Sequence, residues 1–297
     1  MSRRLFVQIK DLSFKSPIFL ASGTWGLGDT LLKYLHQEEI ETCIGALITK
    51  GISLNPMSGN PPPRLLETPC GLINSIGLEN PGIENFLKKY FPKLKTLKVP
   101  IIFNLHGKSK EEFIELAKKL SNEEIDGIEI NISCPNVSEG GIAFSQSPKL
   151  VYDLVRAVRE VYPRLLIVKL SPVGPWNEVA IASEEAGADA LTVANTYPAL
   201  GIVSLKPFQI IKGGLSGPAI KPLTLRLVYE LSSKIKIPLI ASGGITTGKD
   251  ALEYLLVGAK AVQIGTANLI DPTSPVKIYR ELKVLIAQFE ENQEVKN

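Results

Sequence analysis

The sequence predicts a (β/α)8 barrel, and two observations carry that prediction. Short apolar runs rich in β-branched residues recur at fairly even spacing, and segments with helical periodicity lie between them. Within the runs hydrophobicity is continuous rather than alternating, which is typical of parallel strands buried on both faces. Eight strand-then-helix units in 297 residues, with no linker or second-domain boundary, predict one barrel domain spanning residues 1–297.

Each predicted element follows from its own stretch of sequence. The predicted strands are 18–21, 46–49, 99–104, 127–130, 165–170, 190–193, 238–241 and 261–264. The segments with helical periodicity include 111–120, 149–161, 178–186, 223–234 and 249–257. Three connections after strands are much longer than the rest, at 51–81, 133–148 and 195–221. In a barrel these connections cover the carboxyl end, where active sites lie. A doubly wound sheet is the competing topology, and it is disfavoured because no G-x-G-x-x-G follows the first run.

Composition disfavours several classes of protein. The formal net charge is only +3, with scattered lysines and arginines, so we expect no nucleic-acid partner. The first residues contain no apolar signal segment, and no apolar run reaches the roughly 20 residues of a membrane span, which together predict a cytoplasmic protein. The three cysteines, Cys43, Cys70 and Cys134, lack metal-ligand spacing, so neither a metal site nor a disulfide framework is expected.

One cysteine lies in a setting suited to chemistry. The hexapeptide NISCPN at 131–136 places the thiol of Cys134 between two carboxamides, at the point where the apolar segment 127–132 ends. The side chains of Asn131 and Asn136 both donate and accept hydrogen bonds, so they suit a planar, amide-rich substrate beside the sulfur. Taken alone, the segment fits a small buried cysteine at a strand end equally well.

Glycine pairs follow the last two predicted strands. Gly243-Gly244 comes after the seventh run and Gly265-Thr266 after the eighth, where barrels commonly bind phosphate through backbone N–H groups. A third glycine cluster lies at 213–219. Ordinary turn glycines are the alternative interpretation. Without a Walker lysine or metal carboxylates nearby, a phosphate here favours a mononucleotide cofactor.

Taken together, these motifs resemble one family, the dihydroorotate dehydrogenases, which are FMN-containing barrels of pyrimidine biosynthesis. The resemblance runs nearly from end to end. Its motifs are ASGTWGLG at 21–28, ETPCGLINSIGLENPG at 67–82, NISCPN at 131–136, Asn195-Thr196 and the segment 213–222.

The resemblance also distinguishes branches of the family. A quinone-linked, membrane-associated branch has a serine where this chain has Cys134, together with an added N-terminal helix. The segments 74–82 and 136–144 are similar to the NAD-linked cysteine form. This implies a homodimer with an electron-transfer subunit that carries FAD and a 2Fe–2S cluster, forming a heterotetramer. A fumarate-dependent enzyme is one alternative, and an FMN-dependent dihydropyrimidine or dihydrouridine oxidoreductase is another; a flavin-binding subunit whose chemistry lies elsewhere also stays open.

The resemblance implies a role for each matching residue. Cys134 is the base that removes a proton from C5 of dihydroorotate while a hydride leaves C6 for the flavin N5. The implied substrate residues are Lys50, Asn74, Ser75, Ile76, Gly77, Leu78, Asn131, Asn195 and Thr196. The implied FMN residues are Ser22, Lys50, Gly51, Asn104, Asn131, Lys169, Ala194, Gly217, Gly243, Gly244, Gly265 and Thr266. Lys169 is expected to stabilise the anionic reduced flavin.

Some positions depart from the family pattern. The turn at 144–148 and the loop at 200–206 differ, and the loop is expected to lie over the substrate. Ala194 replaces a bulkier aliphatic residue, and His106 stands where a small residue is usual. We expect His106 to be a loop histidine and Cys43 and Cys70 to be small packing residues.

Overall fold

Eight parallel strands close into a barrel in the computed structural model, which describes residues 5–28, 30–133 and 144–294. All eight predicted runs form these strands. In chain order the described strands are β1 (Val7–Ile9), β2 (Leu12–Phe14), β3 (Ile18–Leu20), β4 (Ala46–Ile48), β5 (Leu65–Thr68), β6 (Gly71–Asn74), β7 (Ile101–Leu105), β8 (Gly127–Asn131), β9 (Leu165–Lys169), β10 (Ala190–Val193), β11 (Tyr197–Leu205), β12 (Phe208–Ser216), β13 (Leu239–Ala241) and β14 (Ala261–Ile264). The barrel runs β3-β4-β7-β8-β9-β10-β13-β14 and closes back on β3, which confirms the predicted fold class.

Helices surround the barrel. The described helices are α1 (Gln37–Cys43), α2 (Ile83–Lys89), α3 (Phe91–Leu94), α4 (Lys110–Ser121), α5 (Pro148–Val161), α6 (Trp176–Glu185), α7 (Lys221–Ser232), α8 (Gly248–Leu256), α9 (Thr266–Ile270) and α10 (Ser274–Glu294). The five predicted helices are α4 to α8, and their ends agree within two residues. Side-chain caps explain the sharp starts, since Ser109, Ser147 and Thr247 each accept a hydrogen bond from the first turn of the helix that follows. Within 5–28, 30–133 and 144–294, no helix combines the length and the apolar character needed to cross a membrane.

A hairpin of β1 and β2 closes the amino end of the barrel. Its side chains Val7, Ile9 and Phe14 are buried in one cluster with residues of the barrel interior. The turn residue Lys10 forms an ion pair of 3.3 Å with Asp189, just before β10. Among the described residues, these side chains therefore fill the amino end of the barrel interior, opposite the carboxyl ends of its strands.

An antiparallel sheet covers the opposite end, in the order β11-β12-β6-β5. Its strands come from two of the connections that the sequence leaves as long loops. The pairing of β12 with β6 is close, because a Cβ at Gly213 would lie 2.0 Å from the carbonyl oxygen of Asn74. Residues 51–81 and 195–221 therefore meet above the barrel, although more than a hundred residues separate them in sequence.

Candidate active site

A cavity of about 330 Å³ lies between the barrel and this covering sheet. All twelve residues predicted for the cofactor line it, namely Ser22, Lys50, Gly51, Asn104, Asn131, Lys169, Ala194, Gly217, Gly243, Gly244, Gly265 and Thr266. The predicted substrate residues that line it are Lys50, Asn74, Ile76, Gly77, Leu78, Asn131, Asn195 and Thr196. Ser75 is not part of the lining, because its Oγ turns aside to accept a hydrogen bond of 3.0 Å from Asn60 Nδ2.

Three polar side chains form a hydrogen-bonded cluster where β8 ends. Ser133 Oγ donates to Asn131 Oδ1 at 2.8 Å and lies 2.7 Å from Asn195 Nδ2, which donates to it. Asn195 Oδ1 in turn accepts the backbone N–H of Thr196 at 2.8 Å. Cys134 lies outside the described residues, but it follows Ser133 directly in the chain. The cluster therefore fixes the position of Ser133.

The covering sheet brings two more predicted substrate residues to the cavity. Asn74 Nδ2 donates to the carbonyl oxygen of Gly214 at 3.1 Å, which ties β6 to β12. A Cβ at Gly214 would lie 1.9 Å from Thr196 Oγ1, so only glycine lets Thr196 lie against the sheet. Asn74 and Thr196 thereby face one space, although 122 positions separate them.

Lys50 lies at the cavity wall beside an ion pair that the sequence did not reveal. Glu79 Oε2 is 2.9 Å from Arg64 Nη1 and 3.8 Å from Lys50 Nζ. Burial lowers the pKa of Lys50, Glu79 partly opposes that shift, and Arg64 adds to it. Glu79 lies inside the motif at 67–82, but nothing in the motif pairs it with Arg64.

A buried carboxylate lies on β8, inside the barrel. Glu129 is fully buried and accepts hydrogen bonds from Asn104 Nδ2 at 2.7 Å, Thr192 Oγ1 at 2.6 Å and Gln263 Nε2 at 2.8 Å. These residues come from four barrel strands. Glu129, Thr192 and Gln263 were not among the residues predicted for the site. In the sequence each stands as a single polar residue within an apolar run.

Lys169 ends β9 next to this network. Its strand neighbours are Asn131 on β8 and Thr192 on β10. The side chain is 6% exposed, and within the described ranges it has no hydrogen-bond or ion-pair partner. A buried cation is costly unless a negative group neutralises it. Lys169 therefore fits a ligand that brings or develops negative charge in the cavity, as a reduced flavin does.

The loops after β13 and β14 offer backbone donors. Across the described parts of the chain, no hydrogen bond uses the backbone N–H of Gly243, Gly244 or Gly265. Gly244 has φ +67°, and a Cβ there would lie 2.7 Å from Lys221 Cβ. A Cβ at Gly265 would lie 3.7 Å from its nearest neighbour, Ala21 Cβ, so this loop leaves open space. Unpaired N–H groups beside open space fit a phosphate, and the residues present therefore fit FMN.

His106 and two cysteines lie outside the cavity lining. His106 lies in the loop after β7, as expected, but it is buried there with its ring against Gly51, and burial lowers its pKa to about 4. Cys43 is buried as expected, and burial raises its pKa to about 11. The packing prediction for Cys70 is wrong, because Cys70 is exposed in the turn between β5 and β6. Among residues 5–28, 30–133 and 144–294, no group of three or more His, Cys, Asp or Glu side chains could hold a metal ion.

Comparison with known proteins agrees with the resemblance. The family model described as dihydroorotate dehydrogenase matches residues 4–286. A relative from Thermoanaerobacter pseudethanolicus is 45% identical over 283 residues, covering 94% of this chain and 92% of the relative. A relative from Geobacter metallireducens is 47% identical, covering 94% of this chain and 92% of the relative. A relative from Caldicellulosiruptor bescii is also 47% identical, covering 92% of this chain and 91% of the relative. All three relatives carry the name dihydroorotate dehydrogenase B (NAD(+)), catalytic subunit.

Proposed function

Because the chain belongs to the dihydroorotate dehydrogenase family, we propose that it is the catalytic subunit of an NAD-linked dihydroorotate dehydrogenase. It would oxidise dihydroorotate to orotate in pyrimidine biosynthesis, in the cytoplasm. The observation that carries the proposal is the cavity at the carboxyl end of the barrel. Its lining combines amide side chains, a cation beside them and a glycine-lined end with unpaired N–H groups.

FMN is the cofactor that this lining fits, held by one barrel domain that spans residues 1–297. Gly243, Gly244 and Gly265 would bind its phosphate, and Lys169 would balance negative charge on its ring. When bound, FMN supplies the two-electron acceptor that receives the hydride from substrate C6. The remaining chemistry falls to side chains of this chain.

The substrate would be held by amides and a cation. Asn74, Asn131, Asn195 and Thr196 present donors and acceptors that match the edges of a pyrimidine dione, and Lys50 pairs with the ring carboxylate. Cys134 would accept the proton from C5. A free thiol has a pKa near 8.5, so the step favours alkaline pH unless the site lowers that value.

Electron transfer to NAD would require a partner. We propose a homodimer of this chain joined to two electron-transfer subunits with FAD and a 2Fe–2S cluster, giving a heterotetramer. The test is to assay dihydroorotate oxidation by the purified chain with an artificial dye, fumarate and NAD in parallel. Turnover with the dye alone supports the proposal, and NAD turnover should appear when the partner subunit is added. Turnover with fumarate in the absence of a partner would instead assign the chain to the fumarate-dependent branch.

Replacing Cys134 with serine tests the assignment of the base. We expect turnover at neutral pH to fall by about 100-fold or more, as is usual when a general base is weakened. Cys70→Ser is a matched control, because Cys70 is exposed and does not line the cavity. Unchanged turnover in Cys134→Ser would exclude Cys134 as the base and would favour a flavin-binding subunit whose chemistry lies elsewhere.

A further inference from the structure

Three charged side chains line the cavity among the described residues: Lys50, Glu79 and Lys169. Lys169 lies at the carboxyl end of β9, where the proposed function places the flavin. Lys50 and Glu79 lie together at the wall, at 3.8 Å. A carboxylate substrate that approaches Lys50 therefore also approaches a fixed negative charge.

We propose that Glu79 is a specificity-determining residue that restricts the site to substrates with a single carboxylate and rejects dicarboxylates. The proposal rests on the proposed function, in which Lys50 binds the carboxylate of dihydroorotate. Lys50 can neutralise one carboxylate. A second carboxylate on the same small molecule would meet Glu79, and like charges placed together discriminate strongly against the wrong ligand.

The position of Glu79 is well defined. Its neighbour Asn80 is buried, and Asn80 Oδ1 accepts the backbone N–H groups of Ser53 at 3.2 Å and Gly82 at 2.9 Å. Asn80 Nδ2 donates back to the carbonyl oxygen of Leu78 at 2.8 Å. These bonds hold the turn on both sides of Glu79, so its carboxylate projects from an ordered backbone.

Arg64 holds the Glu79 side chain in place, and Glu79 still lines the cavity. Arg64 Nη1 lies 2.9 Å from Glu79 Oε2, and the carbonyl oxygen of Arg64 accepts the backbone N–H of Ser75 at 2.8 Å. The ion pair therefore joins the segment that contains Arg64 to the segment that contains Glu79, on the substrate side of the cavity. Lys50, at the longer distance of 3.8 Å, keeps its donors available for a ligand.

The test compares two ligands that share a carbon skeleton. Fumarate carries two carboxylates, and crotonate carries a methyl group in place of one of them. Both are measured as inhibitors of dihydroorotate oxidation in the dye assay, for the wild type and Glu79→Gln. We expect the inhibition constant of fumarate to fall about tenfold or more in Glu79→Gln, while that of crotonate changes less than about threefold.

Glu67→Gln is the matched control, because Glu67 lies on β5 of the same sheet and is exposed outside the cavity lining. It should leave both inhibition constants unchanged. Equal changes for fumarate and crotonate in Glu79→Gln, or no change for either, would overturn the proposal. Failure of the wild type to oxidise dihydroorotate would instead refute the proposed function, and titrating the two acids against the flavin absorbance would still compare their binding.

Discussion

Thr192 and Glu129 meet inside the barrel, where Thr192 Oγ1 donates a hydrogen bond of 2.6 Å to Glu129 Oε2. Asn104 and Gln263 donate to the same carboxylate, so strands β7, β8, β10 and β14 are joined through one buried group. Within the described parts of the chain, Glu129 is the only acidic residue that is buried. Its partners are neutral, and the carboxylate is therefore stabilised by hydrogen bonds.

Replacing Glu129 with alanine should strongly destabilise the fold. The change leaves three buried donors without their acceptor, and each such loss costs about 1–3 kcal/mol. We expect the free energy of unfolding, measured in denaturant, to fall by at least about 3 kcal/mol. Glu84→Ala removes an exposed carboxylate and should change the free energy of unfolding by less than about 1 kcal/mol. A similar small effect for Glu129→Ala would show that the network contributes little.

Lys169→Met should separate stability from cofactor binding. Removing a buried cation that has no partner among the described residues relieves a desolvation penalty, so the FMN-free protein should unfold at a higher denaturant concentration. The affinity for FMN, measured by fluorescence titration, should fall. Lys149→Met is the control, because Lys149 is exposed on α5 and remote from the cavity lining. Loss of stability in the FMN-free Lys169→Met protein would contradict this prediction.

The lowered pKa of Lys50 should appear in the pH dependence of substrate binding. Lys50 is charged below its pKa, so the attraction that we propose between Lys50 and the substrate carboxylate is lost as pH rises through that value. Because burial lowers the pKa, the KM for dihydroorotate should rise at a pH below the ordinary lysine value of about 10.4. In Glu79→Gln the rise should begin at still lower pH, since Glu79 raises the pKa of Lys50. A KM that stays constant up to that ordinary value would argue against Lys50 as the carboxylate partner.

His106 should make the fold sensitive to acid. Its pKa is about 4 in the fold, against about 6.5 in an unfolded chain. Between these values the unfolded chain binds a proton that the folded chain does not, so stability falls as pH falls. The slope attributable to His106 approaches about 1.4 kcal/mol per pH unit. We expect His106→Asn to lower the slope of unfolding free energy against pH in this range. An unchanged slope would show that His106 is not the source of the acid sensitivity.

Gly214→Ala tests the fit between the covering sheet and Thr196, a predicted substrate residue. The new Cβ would lie 1.9 Å from Thr196 Oγ1, so Thr196 must move. We expect kcat/KM for dihydroorotate to fall about tenfold, because a displaced hydroxyl loses about one hydrogen bond. Thr196→Ser keeps the hydroxyl and should retain most of the activity. Normal kinetics in Gly214→Ala would show that Thr196 does not contact the substrate.

Much of the barrel is predictable from the sequence, because burial on both faces leaves a local signal. A strand such as β9 reads as a continuous apolar run, and Lys169 stands out at its end. The glycine pairs after β13 and β14 are equally visible, since close approach of a ligand to the backbone requires small residues at particular positions. The assignment of Cys134 as base comes from the family resemblance, and it stays a prediction because Cys134 lies outside the described residues.

Tertiary structure alone decided which distant residues share a space. The hairpin that closes the barrel and the sheet that covers it consist of short or half-exposed strands, whose pairing depends on partners far along the chain. Asn74 meets Gly214 across 140 positions, and Glu129 meets Gln263 across 134. Arg64, Glu79 and Lys50 likewise come together only when the loop between β4 and β7 folds over the barrel. The sequence determined the architecture and the chemical types at the site, whereas charge pairing and polar contacts inside the site depended on long-range packing that no local pattern encodes.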